Sequence, residues 1–432
     1  MRANFIERIG ERNIVLLIVV VAFTAEIAFL RAPTFFGEPY LVAKNIVAGK
    51  GYVFEYPLTG RVLPSCYVTP LYVWIQVPFL YFGLGERGIQ ILNLLFLQVG
   101  CFVLYRFFRN FTTRGLSLLI FAALSFYVPF WILAYTLDPN TLNLLLLALT
   151  VERVYAASEK PSTKLWVQLG ILIGLQLLLR PDMMLGGALF VAWLLFWNRN
   201  TWKGIALAAV IAIAMCLPWT VRNYLDFHKF VFVSANAGMN LFEGNNPVAT
   251  GEFSQLPPTD ASRRLFAQVT AFQNTHFDGI DIDRYRFDLS KQWILGHPAE
   301  VLMLDLKKIW YHWFGRPIMG EQFHYTFQAF AHLYRIAGAI LVLLGFYGLW
   351  CIRDNRLRTL ILSVFIYSTL ISAIFFVQSR HRILKVDPFL IPLAVIALNS
   401  VAVTFRSRSR SIDDKNVFQP KRDLKVTTTE RA

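Results

Sequence analysis

Long apolar runs recur along nearly the whole of this 432-residue chain, and they constrain its fold more than any other feature. Hydrophobic residues make up 56% of the sequence, and the mean hydropathy is +0.48, well above an ordinary soluble domain. An apolar run of about 20 residues can cross a bilayer as a helix, which satisfies its own backbone hydrogen bonds. The sequence therefore predicts an α-helical polytopic membrane protein.

About ten runs are predicted to cross the membrane. They are 14–30, 88–108, 116–135, 141–155, 165–179, 183–197, 204–219, 331–350, 357–377 and 384–405. Arginines precede the first run, which predicts an uncleaved signal anchor, and basic residues recur at the short loops that this topology makes cytoplasmic. Both termini are therefore predicted to be cytoplasmic. Residues 71–84 are apolar but short, which favours a re-entrant or interface-lying helix.

This topology predicts five segments in a protein of the plasma (inner) membrane. They are a cytoplasmic N-terminus (1–13), an N-terminal transmembrane module that includes the external loop 31–70 (14–220), a small external α/β domain lying on the membrane (221–330), a C-terminal transmembrane module (331–405) and a basic disordered cytoplasmic tail (406–432). Within the external domain, residues 230–233 are predicted to form a short strand. Residues 284–314 are helical in pattern, with a break at Gly296-His297-Pro298.

The net charge of +15 would indicate nucleic-acid binding in a soluble protein. Here the positive-inside rule accounts for it, and no soluble domain is left to bind nucleic acid, so that partner is not expected. The four cysteines show no metal-ligand or disulfide spacing. The chain also has no P-loop, nucleophile elbow or dinucleotide fingerprint.

The loop at 34–70 organises the rest of the sequence. Glu38 follows the first membrane run at once, and a short amphipathic stretch at 40–48 ends at Gly49 and Gly51. A carboxylate beside a bilayer face is costly and therefore informative. We expect this loop to form one wall of an active site.

Polar and charged residues fall on the external side in this topology. They are Glu38, Asp138, Arg180, Asp182, Arg222, the segment 236–252 and Arg380-His381-Arg382. Carboxylates suit a general base and its partner, and arginine forks suit phosphate oxygens. A phosphate at the outer leaflet indicates a phospholipid or a polyprenyl-phosphate carrier.

Simpler explanations exist for single residues of this set. Arg180 or Arg222 could only reach towards lipid headgroups, and Asp138 could only cap the helix after Pro139. Glu38 could be a solvated loop acid. His381, between two arginines, is expected to be a neutral hydrogen-bonding group rather than a base.

Several motifs, in order, resemble bacterial family 39-type glycosyltransferases, which have the GT-C fold. These are relatives of the dolichyl-phosphate-mannose protein mannosyltransferases and of the lipid A aminoarabinose transferase. The motifs are Glu38 with Ala43-Lys44-Asn45-Ile46 and Gly49-Lys50-Gly51-Tyr52, then Thr69-Pro70-Leu71-Tyr72, Leu217 to Tyr224, Ala237 to Leu241, Gly244-Asn245-Asn246-Pro247, Ser379-Arg380-His381-Arg382 and Asp387-Pro388-Phe389-Leu390. The resemblance spans about residues 14–405. Relatives usually carry Asp in the first loop, often as Asp-Glu, where this chain has Gly37-Glu38, and Tyr where it has His381.

The resemblance implies transfer of a sugar from a polyprenyl-phosphate donor to a glycan, lipid or protein acceptor at the external (periplasmic) face, with inversion. Glu38 would be the base and Asp138 the second acid. The donor phosphate would be bound by Arg380, Arg382, His381, Arg180 and Arg222. No cofactor is required, and a divalent metal is left open.

Two other functions fit a membrane protein with these charges. A transporter or flippase of lipid-linked sugars could use them as a translocation path, although transporters more often show internal repeats and midplane charges. A non-catalytic partner in envelope assembly could use the external segment as a docking surface.

Overall fold

The computed structural model describes residues 10–30, 37–56, 61–253, 259–276, 278–315 and 328–417. This part of the chain is mostly helical, which confirms the predicted fold class. The helices are α1 Glu11–Ala28, α2 Glu38–Val47, α3 Pro70–Tyr81, α4 Gly85–Arg109, α5 Arg114–Ser125, α6 Val128–Ala134, α7 Asn140–Glu159, α8 Thr163–Leu179, α9 Met183–Trp197, α10 Trp202–Phe227, α11 Ala237–Gly244, α12 Asp260–Thr275, α13 Gly279–Gly296, α14 Pro298–Phe314, α15 Gln328–Cys351, α16 Asn355–Ile374, α17 Ser379–Lys385 and α18 Asp387–Val417.

Six of the described helices are long and apolar enough to cross a membrane, and a seventh span arises if the bent pair α5 and α6 is one crossing. The six are α4, α7, α10, α15, α16 and α18. The predicted count of about ten also includes α1, which carries three charged residues, and the short apolar helices α8 and α9 of 17 and 15 residues. Every predicted crossing is therefore helical, with 116–135 formed by the bent pair. The count of six or seven is lower than the predicted ten because α1 carries more charge and α8 and α9 are shorter.

The apolar helices pack in pairs that are distant in sequence. α8 lies along α10, α15 lies along α18, and α4 lies along α7. Gly348 shows how close α15 and α18 come, since an added Cβ there would lie 1.9 Å from the Leu393 carbonyl oxygen. Small residues at such crossings let two backbones approach in a bilayer, where apolar burial against lipid gains little.

The loop that the sequence predicts to be external folds as a helix followed by a hairpin. Glu38 lies in the first turn of α2 with Pro39 beside it, and Gly49 (φ 75°) ends the helix where a side chain would be strained. This confirms the predicted amphipathic helix and its glycine stop. The hairpin was not predicted: β1 Val53–Tyr56 pairs antiparallel with β2 Arg61–Pro64.

The described residues after α10 form helices joined by loops, and the strand expected at 230–233 is wrong. Side chains at the end of α10 bind the carbonyls of that stretch: Trp219 Nε1 and Asn223 Nδ2 donate to Val233 O, and Thr220 Oγ1 donates to Phe232 O. Because these carbonyls already have partners, no ladder forms. The predicted break before Pro298 is confirmed, since α13 ends at Gly296 and α14 begins at Pro298.

The last helix, α18, runs to Val417, past residue 406 where the disordered tail was expected to begin. The rest of that predicted tail, 418–432, lies outside the described residues, as do 1–9 and parts of the segment 221–330. The domain boundaries therefore stay predictions.

Candidate active site

Glu38 stands at the N-terminus of α2, which suits a carboxylate because the first helical turn carries partial positive charge. Its side chain is accessible to solvent. Tyr67, which follows the hairpin, donates its hydroxyl to Glu38 Oε1 over 3.3 Å. The carboxylate is thus oriented but reachable.

Buried amides hold the chain just before Asp138. Gln76 Nε2 donates to Leu137 O over 2.7 Å, Gln90 Nε2 donates to Tyr135 O, and Asn93 Nδ2 donates to Thr136 O over 2.8 Å. Gln90 and Asn93 are three residues apart on α4 and therefore share one helix face. Three successive carbonyls fixed in this way hold the backbone that leads into Asp138.

Asp138 does not cap the next helix, so the capping explanation is wrong. The residue at the cap of α7 is Pro139, and no side chain accepts a hydrogen bond there. Asp138 instead faces Arg380, whose Nη1 lies 3.7 Å from Asp138 Oδ2, and it packs against the backbone of Gly37. Because Gly37 directly precedes Glu38, Asp138 also lies beside Glu38.

Arg380 is the cation that borders both carboxylates. Its side chain is 31% exposed, against 10% for Asp138. Its Nε is buried and has no hydrogen-bond partner among the described residues. A buried donor without a partner costs about 1–3 kcal/mol, so this guanidinium is suited to receive an anionic ligand.

A second charged group completes the cluster. Arg180 Nε lies 3.5 Å from Asp182 Oδ1, and Lys385 donates to Asp182 Oδ2. Burial alone would raise the pKa of Asp182, but the charges of Lys385 and Arg180 lower it below its usual value. Arg180 is 20% exposed and is partnered, so it does not simply reach for solvent.

The pKa values of Glu38 and Asp138 shift in the opposite direction from that of Asp182. Surrounding protein atoms raise the pKa of both Glu38 and Asp138, the Asp138 charge raises that of Glu38 further, and Arg380 lowers both. Glu38 keeps access to solvent, whereas Asp138 is nearly enclosed. The accessible carboxyl with a raised pKa is suited to proton transfer.

The other three residues expected to bind phosphate also have protein partners. Arg382 is buried, donates to Trp313 O over 2.8 Å and lies 3.2 Å from Asp387. Arg222 donates to Ser65 O and pairs with Asp226 over 2.8 Å.

His381 is the third. Its Nδ1 lies 3.5 Å from Ser372 Oγ, and burial with the nearby charge of Lys385 lowers its pKa well below the usual range. The lowered pKa favours the neutral side chain that the sequence predicts. The stretch 379–382, expected as a turn, is part of the short helix α17.

Sequence reasoning missed two members of the site. Tyr67 stands in an aromatic loop, and nothing in the sequence around it indicates a contact with Glu38. Lys385 falls within the predicted crossing 384–405, so it was not considered as a site residue. Asp182 was placed at the boundary but given no role. Among the described residues, no three side chains of metal-ligating type lie together.

Comparisons with known proteins agree with this architecture. A family model described as dolichyl-phosphate-mannose-protein mannosyltransferase matches residues 67–221, less than half of the chain. That stretch includes Tyr67, Asp138, Arg180 and Asp182. No curated protein matches.

Two solved structures from Archaeoglobus fulgidus share the fold. One is the archaeal oligosaccharyltransferase AglB in complex with an inhibitory peptide and a dolichol-phosphate (14% identity, TM-score 0.52, 95% of this chain and 52% of that chain). The other is an apo oligosaccharyltransferase (11% identity, TM-score 0.53, 94% and 52%). The chain thus spans about half the length of these structures, and at such identities the likeness shows the fold alone. The fold is therefore GT-C-like, as the sequence predicts, and residues 67–221 are similar to the dolichyl-phosphate-mannose-protein mannosyltransferases.

Proposed function

We propose that the protein is a membrane glycosyltransferase that moves a sugar from a polyprenyl-phosphate donor to an acceptor at the external face. The observation that carries the proposal is the juxtaposition of Glu38 and Asp138 with the partly exposed Arg380. Such a site can deprotonate an acceptor and hold a departing phosphate within one recess.

Glu38 is assigned as the base because it is the accessible carboxylate, whereas Asp138 is nearly enclosed. Glu38 takes the proton of the acceptor hydroxyl, and that oxygen attacks the anomeric carbon opposite the phosphate. The bond from that carbon to the phosphate oxygen breaks, so the configuration inverts. Asp138 keeps Arg380 in place.

The departing polyprenyl phosphate gains negative charge, which Arg380 stabilises, with Arg180 beside it. Arg380 Nε has no hydrogen-bond partner in the described part of the chain, which supports this role. We assign Arg382 and Arg222 to holding the structure, since each already binds a carboxylate and a backbone carbonyl.

The external face is supported by the neighbours of the site. Tyr67 O accepts a hydrogen bond from Asn236 Nδ2 over 3.1 Å, so the Tyr67–Glu38 contact lies against the segment that follows α10. That segment is the largest polar region of the chain, and it is predicted to lie outside.

The test is sugar transfer by the purified full-length protein in detergent, with radiolabelled polyprenyl-phosphate sugars as donors. Glu38→Gln is expected to lower turnover by about 10²–10⁴-fold, the usual contribution of a general base. Glu55→Gln is the matched control, since Glu55 is an exposed carboxylate on the same external loop. Full turnover in Glu38→Gln would remove this residue as the base.

A transporter would give a different result. In proteoliposomes it would move intact labelled donor across the membrane without releasing sugar or lipid phosphate. An envelope-assembly protein would show neither transfer nor movement.

A further inference from the structure

A cavity of about 350 Å³ opens on the external segment, away from Arg380 and the other cations of the site. We call it the outer cavity and define it by Phe230, Ser234, Asp283, Arg284 and Phe287. Its volume lies at the lower end of the range for small-molecule sites, about 300–1,000 Å³. Nothing in the proposed chemistry uses it.

The lining combines two exposed aromatic rings with polar groups. Phe230 is 77% exposed and Phe287 is 42% exposed, so both rings offer an apolar face to a ligand. Arg284 is exposed and makes no ion pair with any residue that the structure describes. An aromatic surface beside an exposed guanidinium suits a ligand with one apolar face and polar edges.

The walls of the outer cavity are held rigidly. Lys229, next to Phe230, binds Asp278 and Asp281 of the opposite wall at 2.7 and 2.6 Å. Asp283 accepts the backbone N–H groups of Gly238 and Met239, which fixes α11 on α13. A preformed cavity loses little entropy when it binds a ligand.

A short chain of contacts also links the lining of the outer cavity to the candidate active site. Ala235, in its lining, donates its N–H to Cys66 O over 2.9 Å, and the next residue along the first loop is Tyr67. Tyr67 in turn donates to Glu38. Two residues, Cys66 and Tyr67, therefore connect the lining of this cavity to the proposed base.

We propose that the outer cavity binds a saccharide unit of the acceptor; the proposal rests on the glycosyltransferase activity proposed above. The C–H face of a sugar ring packs on Phe230 and Phe287. Its hydroxyl or acidic substituents bind Arg284 and Ser234. The acceptor is then a glycan or glycolipid rather than a protein.

Binding is measured first, because it does not depend on catalysis. Saturation-transfer NMR is applied to the full-length protein in lauryldimethylamine oxide, a detergent without sugar, with a panel of neutral and acidic mono- and disaccharides. We expect saturation of one or more sugars, lost in Phe287→Ala and kept in Phe266→Ala, a matched exposed phenylalanine on α12. Short peptides are added as control ligands. The proposal is overturned if only the detergent chains are saturated or if peptides but no sugars are saturated. It is also overturned if the sugars are saturated equally in Phe287→Ala and Phe266→Ala.

Kinetics give the second readout. With labelled donor, Phe287→Ala and Arg284→Ala should raise the acceptor KM by about tenfold each, a loss of about 1.4 kcal/mol. Hydrolysis of the donor by water should be unchanged, and Arg264→Ala, an exposed arginine on α12, should behave as wild type. Sugar binding without any turnover would count against the proposed activity and not against this cavity. Unchanged KM in both cavity variants would count against the cavity.

Discussion

Gly37 offers a sharp test of the site, because it touches Asp138 without carrying any chemistry itself. An ideal Cβ at Gly37 would lie 2.0 Å from Asp138 Oδ1 and 3.0 Å from its Cγ. The backbone at Gly37 is ordinary extended chain (φ −62°, ψ 154°), which alanine adopts without strain. Gly37→Ala therefore changes one thing, the space in front of the Asp138 carboxylate.

The size of the effect follows from the contact distance. Carbon and oxygen in contact keep about 3.3 Å apart, so the carboxylate would have to retreat by roughly 1.3 Å. This would disturb the pairing of Asp138 with Arg380, now 3.7 Å. Because a 1 Å misplacement can cost about 10²-fold in rate, we expect turnover to fall by about 100-fold.

Stability should change far less. The atoms that must move are the end of one rotatable side chain, and an off-rotamer side chain costs about 0.5–1.5 kcal/mol. The assay pairs labelled-sugar transfer with the thermal unfolding midpoint of the purified protein. Gly115→Ala is the control, since an added Cβ at Gly115 meets no atom within 4 Å.

A double-mutant cycle decides whether Asp138 transmits the effect. In an Asp138→Ala background, Gly37→Ala should cause no further loss, because the group that it displaces is already gone. The reasoning is refuted if Gly37→Ala alone turns over within about threefold of wild type, or if its loss is the same with and without Asp138.

Three more predictions follow from the cluster and its surroundings. The rate should fall as pH drops through the raised pKa of Glu38, because the base becomes protonated. Arg380→Gln removes a charge that lowers this pKa, so the acidic limb of the pH–rate profile should move to higher pH. An acidic limb that stays in place contradicts this prediction. Lys308→Met should lower the free energy of unfolding by about 1–3 kcal/mol in thermal denaturation, because buried Lys308 donates to Ala373 O over 2.8 Å; the exposed Lys307 gives the matched variant, expected to be neutral. Turnover should survive EDTA, since guanidinium groups supply the positive charge; loss that added divalent metal restores would show a metal requirement.

The sequence by itself determined the class of the molecule and the start of its site. The apolar runs require membrane helices, and each predicted crossing is helical because a buried backbone in a bilayer must satisfy its own hydrogen bonds. Local signals also placed α2, with Pro39 at its beginning and Gly49 at its end. Glu38 could be selected because an acid at that boundary is costly.

Tertiary structure alone decided which charged residues share the site. Arg380 and Arg382 look equivalent in sequence, but α17 rotates about 100° per residue, so they leave the helix about 200° apart. One therefore faces Asp138, and the other faces Asp387 and Trp313 O. Asp138 likewise looks like a helix cap in the sequence. In the structure it contacts Gly37, about a hundred residues earlier in the chain, and Arg380, more than two hundred residues later. Local pattern does not encode such contacts, because they depend on how the helices pack.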